Sequence, residues 1–583
     1  MLSSRIQAGP HRGAVTLAAM LAAVIALAGC TPAQYSHQAD GAASTVLAQK
    51  QRQVLGQAQP LEIAYRPYIA TSQPASGPAS QPASGPAATQ PASQPARTLL
   101  NGRPIPLGYS EVRVLSLDEC LELAVHNSRE YQTRKEELYL AALDLANQRH
   151  FWSFVGGNVS GEAGHARAAD GSADWFGSGQ AELTFAQRFA TGATASLGVA
   201  LSAATDWLGA DSSSFGSLIE GNLTQPLLRG AWRDFAYEHL YRGERDVAIA
   251  VLTYQRYTQS FAADVIAEYY RVLQRRDQLN NELESLRRLE EIAKFNRAQV
   301  DLGMLSRVQS DQAEQNLLSA QARIETTRQE YQDSLDRFKL RLGLPMAAGV
   351  ELAAAELEKL SVEPVAWQEA DAIAIALRTR PDVLTSLAAL RDAGRDVEIA
   401  ADAFNPRLDL VLSASVPGTE PRRPFRTQFD RRTQNGRLEF DYALDQTNNR
   451  DAYKRALIAH DRARRQLDEF HDTVRLEVRQ TYRALVQSRQ TYEIQKTAVA
   501  LAQRRTTLAE KEQKDGLAST RDVLEAQDAL RASRNAVTAA LVNYVTTRQK
   551  FLVSLGLTFA DAQGRLYERD KPFYLDHVRP GRP

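Results

Sequence analysis

Two stretches decide how this chain is read: GMLSRVQSDQAEQ at Gly303–Gln315 and GLASTRDVLEAQD at Gly516–Asp528. Each breaks a long helical pattern with a glycine, two further residues and then serine. Ser306 is followed three residues on by Gln309, and Ser519 by Asp522, the spacing of an N-cap with a polar residue at N3. Each stretch is therefore a helix end followed at once by a helix start, a tight turn between two helices.

The turns are copies of each other. Gly303 and Gly516 lie 213 residues apart, and the same shift aligns Ala313 with Ala526, Leu317 with Leu530, Tyr331 with Tyr544 and Phe338 with Phe551. It ends by aligning Leu342-Gly343-Leu344 with Leu555-Gly556-Leu557. The starts of the halves also correspond: ECLELAVHNSREY from Glu119 parallels DAIAIALRTRPDV from Asp371, both with apolar residues at helical spacing. The chain is a tandem duplication, with a first repeat over 110–345, a linker over 346–365 and a second repeat over 366–557. A polar tail is expected over 558–583.

Within each repeat a first helix leads to strand-like sequence, then to a very long helix, the turn and a second long helix. Neither 233–302 nor 449–514 contains proline, and each would span about 100 Å. Helices of this length folding back at a glycine turn read as coiled-coil hairpins. Between them, RLDLVLSASV from Arg407, RLEFDYALD from Arg437, AELTFAQRF from Ala181 and SLIEGNLTQPLL from Ser217 alternate apolar and polar residues. GATASLGVALSA from Gly192 leaves room for further strands in the first repeat. Such alternation fits a membrane barrel with a wet lumen, and equally a soluble sheet with one solvated face. Two strands per repeat give four per chain, too few to close a barrel alone.

At the N-terminus, Arg5, His11 and Arg12 precede an apolar run over Ala14–Ala28 that ends in Leu27-Ala28-Gly29-Cys30. This reads as a signal peptide over 1–29, and the small residues before cysteine resemble a lipoprotein box with Cys30 as the lipidated residue. From Ser72 to Pro86 an eight-residue unit, SQPASGPA, repeats, so 30–109 reads as a disordered proline-, serine- and alanine-rich tether.

Composition narrows the function. The 583 residues carry 69 basic and 69 acidic side chains, which gives no field that would attract nucleic acid. Only two cysteines occur, and the nine histidines show no ligand spacing. No phosphate loop or nucleophile elbow is present. The sequence thus suggests no enzyme, cofactor or metal.

The two turns with VQSDQAEQ (Val308–Gln315) and DVLEAQ (Asp522–Gln527), together with ALRTRPDV (Ala376–Val383) and LTQPLLRG (Leu223–Gly230), resemble the TolC-like outer membrane efflux proteins, in their lipidated branch. The resemblance runs from Leu115 to Leu557. It implies an α+β homotrimer: a twelve-stranded outer-membrane β-barrel continued by a periplasmic α-helical tunnel, acting as a passive export duct for small molecules or polypeptides. It further implies a periplasmic adaptor protein, which would meet the tips at Gly303, Leu305, Ser306, Gly516, Leu517 and Ser519, and an inner-membrane pump. Asp522 and Glu525 match the acidic positions that ring the aperture in a gated member. In a trimer they would focus negative potential on one axis. The plainer role for Asp522 is capping Ser519. Ala518 stands where that member has an arginine latch, which puts its salt-bridge lock in question here. A lipid-anchored periplasmic adaptor or an envelope stalk is the alternative reading.

Overall fold

A computed structural model describes residues 32–56, 58–59, 61, 99–100, 103–104, 112–167, 173–206, 214–363, 367–418, 429–515, 517–561 and 563–568. The signal segment, Cys30, Gly516 and the proline-rich repeat lie outside the described residues.

In chain order come helix α1 (Pro32–Leu55), the short strands β1 (Leu99–Leu100), β2 (Arg103–Pro104) and β3 (Arg113–Leu115), then α2 (Leu117–Asn127) and α3 (Arg129–Trp152). Four long strands follow: β4 (Ser153–Arg167), β5 (Ala173–Arg188), β6 (Thr194–Asp206) and β7 (Ser214–Pro226). The one-turn α4 (Arg233–Ala236) leads into α5 (Glu238–Asp301) and, past the first glycine turn, α6 (Arg307–Arg341). After β8 (Val350–Leu352) and α7 (Ala355–Glu358), the second repeat runs through α8 (Glu369–Thr379), α9 (Pro381–Asp402), β9 (Arg407–Gly418) and β10 (Thr433–Asp441). It closes with α10 (Thr447–Lys514), α11 (Thr520–Leu555) and the hairpin β11 (Thr558–Ala560) and β12 (Leu566–Glu568). The fold is α+β and rich in helix. At 68 residues, α10 is about 100 Å long.

The chain divides into two compact units. Of the described residues, the strand unit holds those within Met1–Gln51, Tyr139–Ile249 and Leu387–Leu467; the helical unit holds those within Arg52–Leu138, Ala250–Ser386 and Asp468–Pro583.

In the strand unit, six strands form one antiparallel sheet in the order β10-β9-β7-β6-β5-β4. The first repeat therefore supplies four strands, the count its extra strand-like sequence had left open, and the second two. The repeats join where β7 pairs with β9, from Ser217 opposite Gly418 to Pro226 opposite Asp409. Helix α1 corrects the sequence reading, because 32–55 falls in the stretch expected to be a disordered tether. Its buried residues Ala43, Val46, Leu47, Lys50 and Gln51 recur at helical spacing. The Tyr139 hydroxyl donates to Asp40 at 2.6 Å, Arg149 donates to Gln49 at 3.1 Å, and Lys50 pairs with Glu244 at 3.4 Å.

The helical unit has one apolar core for each repeat. Cys120, Leu121, Tyr269, Phe338 and Leu342 belong to the first; Val474, Val478, Tyr544, Phe551 and Leu555 belong to the second. Thus the aligned pairs Tyr331/Tyr544, Phe338/Phe551 and Leu342/Leu555 mark core positions. The linker is not featureless, since its β8 lies parallel to β3, with Val114 opposite Glu351. The expected polar tail begins with a hairpin, in which Phe559 faces Tyr567.

Candidate functional site

Residues directly opposed in an antiparallel ladder share a face. Following the register from Val159–Ala181 through Phe185–Leu197, Leu197–Gly221, Gly221–Ala414 and Leu412–Gly436 traces one face across all six strands. Val159, Leu183, Phe185, Leu197, Leu223, Leu412, Leu438 and Phe440 stand on it, and all are exposed; Leu438 and Phe440 reach 65% and 67%. The opposite face carries Asn158, Ser160, Glu162, Gln180, Glu182, Glu220, Asn222, Ser413, Arg437 and Glu439, with Leu218 as an apolar exception. A soluble sheet hides its apolar face and wets the polar one. Here both faces are uncovered, so the apolar one lies exposed beside the polar one, an arrangement that water penalises and hydrocarbon favours.

At the strand ends that join the helices, further apolar residues are exposed: Phe151 before β4, Phe189 after β5, Leu227, Leu228 and Trp232 after β7, and Tyr442 and Leu444 after β10. Trp232 holds a left-handed φ of 79°, the only non-glycine residue to do so among those described. This band has the composition of the aromatic girdles found where membrane barrels meet the headgroups. Among the described residues, no helix is long and apolar enough to cross a membrane.

The paired turns lie together in the helical unit. Asn296 on α5, seven residues before Gly303, donates to the Thr520 hydroxyl at 3.2 Å, next to Ser519. Farther back, Asn281 contacts Asn535 at 2.9 Å and Glu282 pairs with Arg531 at 2.6 Å, a polar seam along antiparallel α5 and α11. In the first turn Gly303 takes φ +69° at the end of α5; its amide bonds to Val300 O at 2.9 Å and that of Met304 to Gln299 O at 2.8 Å. These are the two bonds of a Schellman cap. In the second, the Leu517 amide reaches Glu512 O at 2.7 Å.

The helix starts differ. Ser519 and Asp522 form a reciprocal capping box: Asp522 Oδ2 accepts from the Ser519 amide at 3.0 Å and hydroxyl at 2.7 Å. Those hydrogen bonds hold the Asp522 carboxyl below the usual carboxylate range. Ser306 occupies the N-cap of α6 without a side-chain cap bond, so the cap expected at the first turn is not made. Glu525 accepts from Arg521 at 2.9 Å, an i,i+4 pair that the sequence contained but that was not singled out. Asp522 and Glu525 share the exposed side of α11, opposite buried Val523, Leu524, Ala526 and Gln527. Around the turns Leu302, Met304, Val308 and Leu517 are exposed, Leu517 to 81%, whereas Leu305 is half-buried. The apolar surface of the first tip thus centres on Leu302, Met304 and Val308, which sequence reasoning passed over. Their signal was apolar residues in a turn with no helical partners.

ALRTRPDV holds a charge cluster built around the buried Arg380. Arg380 grips Asp382 with two hydrogen bonds, 3.0 Å from Nε and 2.7 Å from Nη2, and reaches Glu477 at 2.7 Å. Burial works to raise the Asp382 carboxyl, yet Arg380, with Arg256 behind it, holds it below its ordinary 3.8. The Thr379 hydroxyl donates to Leu555 O, and Gly556 packs its φ +71° backbone against the same bend. The motif is a joint between α8, α9 and the end of α11. Among the described residues, no group of three or more His, Cys, Asp or Glu could hold a metal ion.

Residues 372–557 match the family of outer membrane efflux proteins (OEP). The fold is that of outer membrane channels. The open state of the MtrE outer membrane channel of Neisseria gonorrhoeae superposes with a TM-score of 0.57 at 15% identity, over 81% of this chain and 97% of that one. The Campylobacter jejuni CmeC outer membrane channel gives 0.56 at 15%, over 79% and 88%. The outer membrane protein VceC of Vibrio cholerae gives 0.56 at 13%, over 76% and 96%. No curated protein matches this sequence.

Proposed function

We propose that this protein is the outer-membrane channel of a tripartite efflux or type I secretion system. It is a passive duct for small molecules or polypeptides, driven by a partner pump in the inner membrane. In this reading it is a homotrimer, lipid-anchored through Cys30, whose strands line a barrel in the outer membrane and whose helices extend as a tunnel into the periplasm. The observation that carries the reading is the two-faced sheet, one face apolar and exposed, the other polar, with an aromatic band at its helix end. An adaptor or an envelope stalk has no use for such a face. The turns at Gly303, Leu305, Ser306, Gly516, Leu517 and Ser519 are the contact tips for a periplasmic adaptor, with the exposed Leu302, Met304, Val308 and Leu517 as its apolar footing. Asp522 and Glu525 ring the aperture. Capping and lining are compatible roles for Asp522, because its bonds to Ser519 leave the carboxylate exposed.

The test is assembly and conductance. Protein purified from outer membranes has the mass of three chains and opens discrete pores in planar bilayers; a monomer without pores overturns the reading. In the same bilayers, replacing Asp522 and Glu525 with Ala raises conductance and weakens block by multivalent cations. Unchanged values would remove the carboxylates from the aperture.

A further inference from the structure

We infer that each chain gives six strands to the barrel, the β10 edge of one copy pairing with the β4 edge of the next, so that the trimer closes with eighteen strands rather than twelve. This rests on the trimeric reading above. All six strands belong to one continuous ladder. The β4–β5 pairing alone runs from Ser153 opposite Gln187 to Arg167 opposite Ala173, and β5 continues onto β6 from Phe176 opposite Asp206 to Arg188 opposite Thr194. The first two strands are therefore part of the sheet and not an appended hairpin.

The sheet ends in two open edges. Every residue of β10 is exposed, and among the described residues neither β10 nor β4 has a neighbour on its outer side. An unpaired edge of this length seeks another strand, and in hydrocarbon its free amides and carbonyls are untenable. Six strands are too few to close on themselves around a lumen. An even number per chain also solves the direction problem. Strand β4 leaves the helices and β10 returns to them, so a copy placed edge to edge meets its neighbour antiparallel, as every other pair in the sheet does.

The faces agree as well. Pairing that sets Leu438 and Phe440 beside Val159 on the apolar side sets Arg437 and Glu439 beside Asn158, Ser160 and Glu162 on the polar side. A one-residue slip would break both matches together, which restricts the seam to registers two residues apart. With strands about 4.8 Å apart and tilted about 40°, eighteen close to a backbone diameter of about 36 Å, against about 24 Å for twelve.

Paired cysteines in the full chain, oxidised in outer membranes, read the seam. Arg437→Cys with Asn158→Cys or Ser160→Cys places thiols on adjacent strands, within the roughly 5.5 Å between Cα atoms that a disulfide needs. Arg437→Cys with Ser196→Cys tests the alternative in which β4 and β5 leave the barrel and β6 becomes the edge. The inference expects covalent ladders that stop at three chains, with about tenfold more product from a β4 pair than from the β6 pair, whose strands lie about 10 Å farther apart. Linking through β6 overturns the eighteen-strand barrel and leaves the trimer standing. Trimers by native mass that link through neither pair, or averaged top views with a ring near 24 Å, overturn it equally. Absence of any trimer by native mass defeats the channel reading itself, and the inference with it.

Discussion

The two repeats build the same joint with one arginine placed differently. In the first, the bend at Asn127–Ser128 sits over Gly343, and Arg341 on α6 reaches Glu268 at 3.0 Å and Glu130 at 3.2 Å. In the second, the bend at Thr379–Arg380 sits over Gly556, and the arginine comes from the bend itself. The residue that the duplication aligns with Arg341 is Ser554, whose carbonyl accepts from Arg380 at 3.3 Å. Each repeat thus sets a guanidinium between a carboxylate on the long helix, Glu268 or Glu477, and one on the helix after the bend, Glu130 or Asp382, with Arg256 a second, more distant one at the second joint. What moved is depth. The Arg380 side chain is 4% exposed and that of Arg341 is 30%. Duplication fixed the topology of the joint, and the position of one charge set how dry it is.

The largest effect should come from removing that charge. Arg380→Ala leaves the partly exposed Asp382 and Glu477 with only the more distant Arg256, at 3.7 and 3.8 Å, and should cost about 3 kcal/mol; Arg341→Ala, at a wetter joint, should cost about 1 kcal/mol. Urea unfolding of the two purified variants measures the gap, and equal costs would break the comparison. The pH dependence follows from the depressed Asp382 carboxyl. Its contribution is present above its ordinary 3.8 and is lost as pH falls through the lower folded value, a loss that Arg380→Ala should reduce, leaving the part that Arg256 supplies.

Next come the glycines. A Cβ on Gly343 would meet Asn127 O at 2.1 Å, whereas one on Gly556 would meet Thr379 O at 3.0 Å, both at a left-handed φ. Gly343→Ala should therefore cost about 3 kcal/mol and Gly556→Ala about 1–2 kcal/mol. Thermal unfolding midpoints in the same order would support this, and the reverse order would place the tighter joint in the second repeat.

The smallest effect separates the tips. Ser519→Ala removes a working cap, about 1 kcal/mol, while Ser306→Ala, with no side-chain cap bond to lose, should change stability by only a few tenths of a kcal/mol. Protease nicking at the two turns compares them directly.

The duplication, the long helices and the turns were legible because glycine, serine and the apolar repeat are local signals. The strand count was not. In β4, SFVGGNVSGEAGHAR, glycine and small polar residues stand where apolar ones would mark the period, and Val159 alone carries little of it. Helix α1 was hidden because its buried stripe includes Lys50 and Gln51, which read as solvent-facing until Glu244 supplies a partner. Sequence reasoning placed Asp522 and Glu525 on one helical side but proposed the same cap at both turns, and only the Ser519 side chain makes it. RTRPDV was noticed as a pattern; its meaning as a joint needed Glu477 and Ser554, 97 and 174 residues from Arg380.

Helix α1 changes what the proline-rich repeat is for. Only Thr31 separates Cys30 from Pro32, and the helix is fastened to α3 by Asp40 and Gln49 and to α5 by Lys50 before the repeat begins. A lipid on Cys30 would then sit on a two-residue leash. The repeat follows α1 in the chain, so lengthening it would leave the reach of such an anchor unchanged.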